Sequence, residues 1–246
     1  MIRQAVVLAA GFGSRIRGDD ADALPKPLHE VAGQPLLVRT IGTLAAAGID
    51  RVYVVRGFMG DALVAAVAAS PVVAGLDVTV RWIDNPDYQL ANGVSVLCAG
   101  GAVDGPFVLS MADHVYDASV ARLAAAADMA RADLWLCVDR RVDDVYDIDD
   151  ATKVRTDGDA IVDIGKQLAD YDAIDCGVFA VGDALLACLR EELDARGDCS
   201  LSDGVRRLAA RGRARVVDVG DAFWQDVDTP DALARAERIL RARGTA

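Results

Sequence analysis

The strongest constraint on this chain lies near its start. Ala5-Val6-Val7-Leu8 is an apolar run that reads as a buried strand, and it passes straight into Ala9-Ala10-Gly11-Phe12-Gly13-Ser14-Arg15. Small residues and two glycines let a backbone turn tightly and bring its N–H groups close to a phosphate chain. Arg15 then offers a planar fork of donors, and Lys26, between Pro25 and Pro27, a compact positive charge. Together they predict a nucleoside triphosphate site.

Two other glycine motifs are excluded. The dinucleotide fingerprint G-x-G-x-x-G needs a glycine where Ile16 stands, and no Gly-Lys-Ser/Thr of a P-loop occurs near this loop. An ordinary strand-to-helix turn would share the glycines, but it would have no use for Arg15 and Pro25-Lys26-Pro27.

With 246 residues, 53% of them hydrophobic, the chain can bury a substantial core as a single α/β domain. Residues 1–115 are expected to bind the nucleotide, and 116–246 the second substrate. No uninterrupted apolar run reaches the roughly 18 residues of a transmembrane helix, so membrane insertion is not expected. The N-terminus enters a strand almost at once, which predicts no signal peptide. Five scattered cysteines form neither a C-x-x-C pair nor a disulfide framework, as expected in a reduced cytoplasm.

The net charge of −12 argues against nucleic acid or an anionic membrane as partner. An anionic substrate therefore needs a local island of positive charge. Of 26 basic residues only Lys26, Lys153 and Lys166 are lysines, and each falls beside a Gly, Pro or Thr turn. That placement tilts all three towards function.

Apolar strand runs alternate with Ala/Leu-rich helical segments, which predicts βαβ units and a doubly wound, mostly parallel (mixed) sheet with helices on both faces. Helices are expected at 36–47, 59–69, 92–98, 119–131, 182–195, 201–211 and 231–243. Strands are expected at 51–55, 78–83, 107–110, 133–139, 174–179 and 215–219, with 151–154 and 160–164 as a pair presenting Lys153 and Lys166. Asn92 is either a helix N-cap or a ligand-binding residue.

Asp113 follows the fourth strand, where open α/β sheets bind ligands, and suits a magnesium ion better than a helix cap. In Asp226-Val227-Asp228 the two carboxylates share one face of an extended backbone and can hold a divalent cation with a third such as Asp113. Asp228-Thr229-Pro230 also reads as a helix start, so Asp226 is the favoured ligand and Asp228 the second candidate. The five aspartates of 143–150 read as a solvated hairpin edge, with polyol recognition or repulsion of the wrong anion as alternatives. Two histidines, His29 and His114, and no H-E-x-x-H or G-x-S-x-G leave zinc hydrolysis and triad chemistry unsupported.

Leu8-Ala9-Ala10-Gly11-x-Gly13-x-Arg15, Pro25-Lys26-Pro27-Leu28, Val31-x-Gly33-x-Pro35-Leu36, Asp113 and Trp224-x-Asp226-x-Asp228-Thr229-Pro230 together resemble the nucleotidyltransferases that activate sugar phosphates and related phosphomonoesters. Within that superfamily, Asn92-Gly93-x-Ser95, Met111-x-Asp113-His114-Val115-Tyr116, Asp150-Ala151-Thr152-Lys153-Val154, Ile164-Gly165-Lys166 and Ile174-Asp175-Cys176-Gly177-Val178-Phe179 are similar to the CTP:inositol-1-phosphate cytidylyltransferase family.

The resemblance implies a Rossmann-like nucleotidyltransferase fold and a Mg²⁺-dependent reaction of CTP with a small phosphorylated alcohol. Leu8, Ala9, Ala10, Gly11, Gly13, Asn92 and Ser95 would surround the nucleotide, with Ala10 and Asn92 near its base and ribose. Arg15 and Lys26 would stabilise charge on the phosphates. Asp113 with Asp226 or Asp228 would hold the metal, and Lys166, Lys153 and Asp175 would face the acceptor. Phosphocholine, an aminoalkylphosphonate, or a sugar 1-phosphate with UTP, dTTP or GTP are the alternatives, and a homodimer stays open. The rivals of another class are a non-catalytic nucleotide sensor and a nicotinamide oxidoreductase.

Overall fold

The computed structural model describes residues 1–13 and 24–244. β1 (Gln4–Ala9) ends at the glycine loop, and a 3-10 turn (Lys26–Leu28) carries the lysine. A short ribbon of β2 (Glu30–Val31) and β3 (Gln34–Pro35) leads into α1 (Leu36–Ala46), β4 (Arg51–Arg56), α2 (Gly60–Ala68), α3 (Pro71–Ala74) and β5 (Thr79–Asp84). α4 (Asn92–Ala99) precedes β6 (Phe107–Met111), β7 (His114–Tyr116), α5 (Ala118–Ala125) and β8 (Leu134–Asp139). The chain continues through β9 (Lys153–Asp157), β10 (Ala160–Gly165), β11 (Ala173–Val181), α6 (Asp183–Arg196) and α7 (Leu201–Ala210). β12 (Ala214–Asp218), β13 (Trp224–Asp226) and α8 (Pro230–Ala242) complete it.

Nine strands form one sheet in the order β5-β4-β1-β6-β11-β8-β12-β10-β9. The first four are parallel, as expected of strands that are apolar on both faces and joined by helices. β11 enters antiparallel between β6 and β8, which makes the doubly wound sheet mixed. Between 153 and 181 the strands are joined without a crossover helix, and a parallel neighbour would need a connection of about a dozen residues or more. β9 also pairs back onto β11, curling that end of the sheet.

Helices cover both faces. Leu37, Ile41 and Leu44 of α1 and Ala121 and Ala124 of α5 pack on Val7, Val52 and Val54. On the other face, residues of α4, α6 and α7, among them Val94, Leu185, Leu189 and Leu208, pack on Val6, Leu109 and Leu136. A separate cluster of Val31, Leu36, Val115, Val227, Ala236 and Leu240 fastens α8 to the antiparallel ribbon β7–β13. None of the described helices is long and apolar enough to cross a membrane.

Two elements differ from the sequence expectation. The helix expected over 119–131 stops at Ala125 because the Asp128 carboxylate accepts from the Ala130 N–H (3.1 Å), a local bond that competes with the helix. The acidic segment 143–150 is not a hairpin edge; it is a loop between β8 and β9 that opens with a 3-10 turn (Val142–Asp144).

Candidate active site

β1 lies where the chain's connections reverse: β4 and β5 build outward on one side, and β6 is laid down on the other. Open α/β sheets bind ligands beyond the carboxyl ends of strands at such a point. Here those ends carry the glycine loop and Asp113. A cavity of about 220 Å³ opens there, lined by Leu8, Ala9, Gly11, Gly13, Lys26, Asp113 and Asp228. Ala10 is buried behind it, its carbonyl accepting from the Phe58 N–H (3.0 Å). Gly13 has φ +61° and passes so close to Lys26 that a methyl group there would run into the lysine Cβ. Arg15 lies outside the described residues.

Lys26 is buried, and its ammonium meets three carboxylates: Asp113 Oδ2 (2.7 Å), Asp226 Oδ1 (3.5 Å) and Asp228 Oδ1. The β7–β13 ribbon assembles them. Asp226 stands opposite His114, and the Val227 N–H donates to the Asp113 carbonyl (2.9 Å). Asp228 is not the cap of α8; Thr229 Oγ1 takes that role by accepting from the Ala232 N–H (3.1 Å), with Pro230 at the first turn. Both acids of Asp226-Val227-Asp228 thus reach the same cation, as their shared face predicts.

His114 Nδ1 hydrogen-bonds Asp113 Oδ1 (2.8 Å), and its ring stacks on Trp224 at a centroid distance of 6.3 Å. Burial disfavours the imidazolium, but the charge of Asp226 and the bond to Asp113 outweigh it and lift the pKa to about 9. For Asp113, burial opposes ionisation, yet Lys26 and His114 hold the carboxyl well below the usual carboxylate range. Trp224 is fixed in turn by donating to Asp139 Oδ2 (2.8 Å).

A second, larger cavity of about 480 Å³ adjoins the first and shares Asp113 and Asp228 with it. Asn92, Lys166 and Asp175 line it, as do Asp144, Tyr146 and Asp150 of the acidic loop. Asp150 pairs with Lys166 (2.9 Å), and its carboxylate lies within 4.8 Å of those of Asp226 and Asp228. The acidic loop is therefore a wall of the site. Asp175 accepts from the Gly177 N–H (2.7 Å); burial, with the charge of Asp226 adding to it, raises its pKa to about 6.

Three predicted site residues stand in supporting positions. Lys153 is buried behind the cavity, its ammonium donating to the carbonyls of Asp149 (3.0 Å) and Lys166 (3.1 Å), so it ties the acidic loop to the end of β10. Asn92 lies inside α4, whose N-cap is Ala91; its Oδ1 instead accepts from the Leu201 N–H (2.8 Å) at the start of α7. Ser95 is buried, and its hydroxyl accepts from Asn85 Nδ2 (2.9 Å). Sequence reasoning missed Tyr146, Arg141 and Arg235 on the cavity wall. Nothing local distinguishes an arginine of an amphipathic helix such as α8 from a solvated one.

The chain matches the model of the MobA-like NTP transferase domain over residues 5–216, which spans the glycine loop, Lys26, Asp113 and the sheet through β12. The chain belongs to that family. This NTP transferase domain is 40% identical over 242 residues to the bifunctional IPC transferase and DIPP synthase of Rubrobacter xylanophilus, covering 96% of the chain and 51% of the relative. It is 34% identical over 260 residues to the CMP-5'-(3-aminopropyl)phosphonate synthase of Streptomyces rubellomurinus, covering 95% of the chain and 38% of that relative. The chain thus spans about half the length of the first of these relatives and less of the second. The inositol-1-phosphate CTP transferase of T. maritima superposes with a TM-score of 0.81 at 26% identity, over 97% of this chain and 96% of that one. A UDP-glucose pyrophosphorylase at 15% identity (TM-score 0.79, over 99% of this chain and 100% of that one) shares the fold.

Proposed function

We propose that this chain is a cytidylyltransferase that joins CTP to inositol 1-phosphate, giving CDP-inositol and pyrophosphate. The observation that carries the reading is the pair of adjoining cavities that meet at Asp113 and Asp228 beside the Lys26 ammonium. The nucleotide's phosphates fit the smaller one, against the glycine loop, and the acceptor fits the larger one. The likeness to the inositol-1-phosphate CTP transferase of T. maritima supports both substrates, and the 40% identity to the IPC transferase and DIPP synthase of Rubrobacter agrees with it.

A phosphate oxygen of the acceptor attacks the α-phosphorus of CTP in line, the bond from that phosphorus to the bridging oxygen of the β-phosphate breaks, and pyrophosphate leaves. The attacking phosphate is already ionised at neutral pH, so no side chain has to take a proton. Positioning and charge neutralisation carry the work. Lys26 stands at the junction and opposes charge on the α-phosphate, with Arg15 on the leaving group. Lys166 meets the acceptor's phosphate, and Asp175 its body.

Three carboxylates around one ammonium form a hard-oxygen donor set that already accommodates a cation, and it suits Mg²⁺. Asp113, Asp226 and Asp228 would hold the ion, which supplies further neutralisation of phosphate charge.

An aminoalkylphosphonate is the second acceptor class. Among the described residues nine aspartates line the larger cavity against four arginines and lysines, an excess that favours an acceptor bearing an amine. The name of the Streptomyces relative points the same way. The test is pyrophosphate release from CTP, UTP, GTP, ATP and dTTP against inositol 1-phosphate, phosphocholine, aminoalkylphosphonates and sugar 1-phosphates. Inositol 1-phosphate with CTP is expected to be fastest; no release with CTP and any acceptor would refute the proposal. Lys26→Ala or Asp113→Ala is expected to lower kcat about a hundredfold or more, as for other charge stabilisers, and near-normal turnover by either would sink their assigned roles.

A further inference from the structure

The larger cavity must take an anionic acceptor, yet most of its cations are already matched by carboxylates. Arg141 grips both oxygens of Asp139 (Nε–Oδ1 3.0 Å, Nη2–Oδ2 2.8 Å). Lys166 pairs with Asp150 at 2.9 Å, and Arg243 with Asp117 at 2.9 Å. Arg235, on α8, is the exception: among the described residues no carboxylate pairs with it. Its Nη1 donates to the side-chain oxygen of Gln225, a neutral partner, and its guanidinium lies 5.1 Å from the centroid of the Tyr146 ring.

That environment orients the guanidinium without neutralising it. Gln225 is buried, and its amide Nε2 is anchored on the Ala232 carbonyl of α8, so its oxygen faces Arg235 in a fixed direction. Tyr146 brings the acidic loop against the other side of the guanidinium, and a ring face supports it without accepting its hydrogen bonds. A guanidinium has five N–H donors in a rigid fork, and Gln225 engages one nitrogen. A half-buried cation with donors to spare, in a cavity whose other charge is largely negative, is built for an anionic oxygen pair.

We propose that Arg235 is the specificity-determining anchor for the phosphoryl or phosphonyl group of the acceptor, held in place by Gln225 and Tyr146. The assignment rests on the two-substrate reading above and deepens it. Lys166 approaches the same anion already paired with Asp150, so Arg235 supplies the net positive charge. It also explains how so acidic a wall admits a phosphate at all: the carboxylates reject anions everywhere except within reach of α8.

The experiment compares wild type, Arg235→Gln and Arg235→Lys in steady-state turnover with CTP and the acceptor. A calorimetric titration of inorganic phosphate into each protein reads the anion site without turnover. Arg235→Gln is expected to raise the acceptor's KM about 10- to 100-fold, the range of a charge-assisted pair, and to leave the KM for CTP within about twofold. Phosphate binding should weaken by a similar factor, and Arg235→Lys should recover part of both losses because it restores the charge without the fork. An unchanged acceptor KM overturns the assignment, as does an equal rise in both KM values, the signature of a merely structural role. If wild type uses a phosphonate in place of inositol 1-phosphate, the acceptor reading fails while Arg235 is tested on the phosphonate. If no acceptor turns over, the titration decides: phosphate bound equally by wild type and Arg235→Gln overturns the proposal.

Discussion

Asp175 joins the site to stability at the level of one proton. Its carboxyl is raised from the ordinary value near 4 to about 6, by burial first and then by the charge of Asp226. Between about pH 4 and 6 the native chain therefore binds more protons than the unfolded chain, so this group's contribution falls as pH rises through that window and is level above it. Asp175→Asn keeps an oxygen for the Gly177 N–H and removes the ionisation. In metal-free buffer it is expected to abolish that fall and to leave the protein more stable at pH 7 by up to about 3 kcal/mol, two units at 1.4 each. Urea unfolding across pH 4 to 8 checks this; parallel pH profiles for the two proteins would contradict it. The residues legible in the sequence are those whose chemistry is local: Gly13 must be glycine where Lys26 crosses it, and Asp113 lies just past the end of a central strand. Arg235, Tyr146 and Asp150 acquire meaning only when α8 and the loop after β8 meet over one cavity, contacts between segments some 90 residues apart that no local pattern announces.

At the scale of elements, the device that shapes the site is the bulge in β11. Its register against β8 shifts between Asp175 and Phe179, and Gly177 takes φ +72° there. A β-carbon at Gly177 would stand 2.6 Å from His114 Cδ2, so the strand yields the space in which His114 sits between Asp113 and Trp224. Gly177→Ala meets both a left-handed backbone penalty and that overlap, and is expected to destabilise the protein by about 2–4 kcal/mol. The same shift should move His114 off Asp113 and lower kcat. Urea unfolding and steady-state turnover measure the two effects; a loss below about 0.5 kcal/mol would show that strand and ring adapt freely. The sequence Asp175-Cys176-Gly177-Val178 reads as part of a plain strand, because nothing in a strand pattern reveals which side chain from elsewhere will press on its glycine. The ribbon β7–β13 was hidden for a related reason. Three-residue strands are too short to show a period, and only the pairing of Trp224, Gln225 and Asp226 with Tyr116, Val115 and His114 defines this ribbon.

For the whole molecule, alternating apolar strands and amphipathic helices sufficed to predict a doubly wound sheet. What they could not supply was which strand enters antiparallel, since β11 is as continuously apolar and buried as the parallel β1 and β4. That entry matters for function. It closes the sheet beyond β6 and gives the acceptor side its own wall, so that two cavities share Asp113 and Asp228. Among the described residues no cysteine or serine lines the smaller cavity, and the groups common to both cavities are carboxylates, which the Lys26 ammonium meets. A covalent CMP-enzyme would need a nucleophile at the junction, and a carboxylate engaged with a cation is a poor one. On the proposed reaction the adjoining cavities instead let both substrates be present at once, with the acceptor oxygen facing the α-phosphorus across the shared edge. The expected kinetics are those of a ternary complex. Double-reciprocal plots at several fixed acceptor concentrations should intersect, and pyrophosphate should not form from CTP alone. Parallel lines, or label retained on the protein after incubation with CTP labelled at its α-phosphate, would mean that one of those carboxylates is attacked and that the two cavities work in turn.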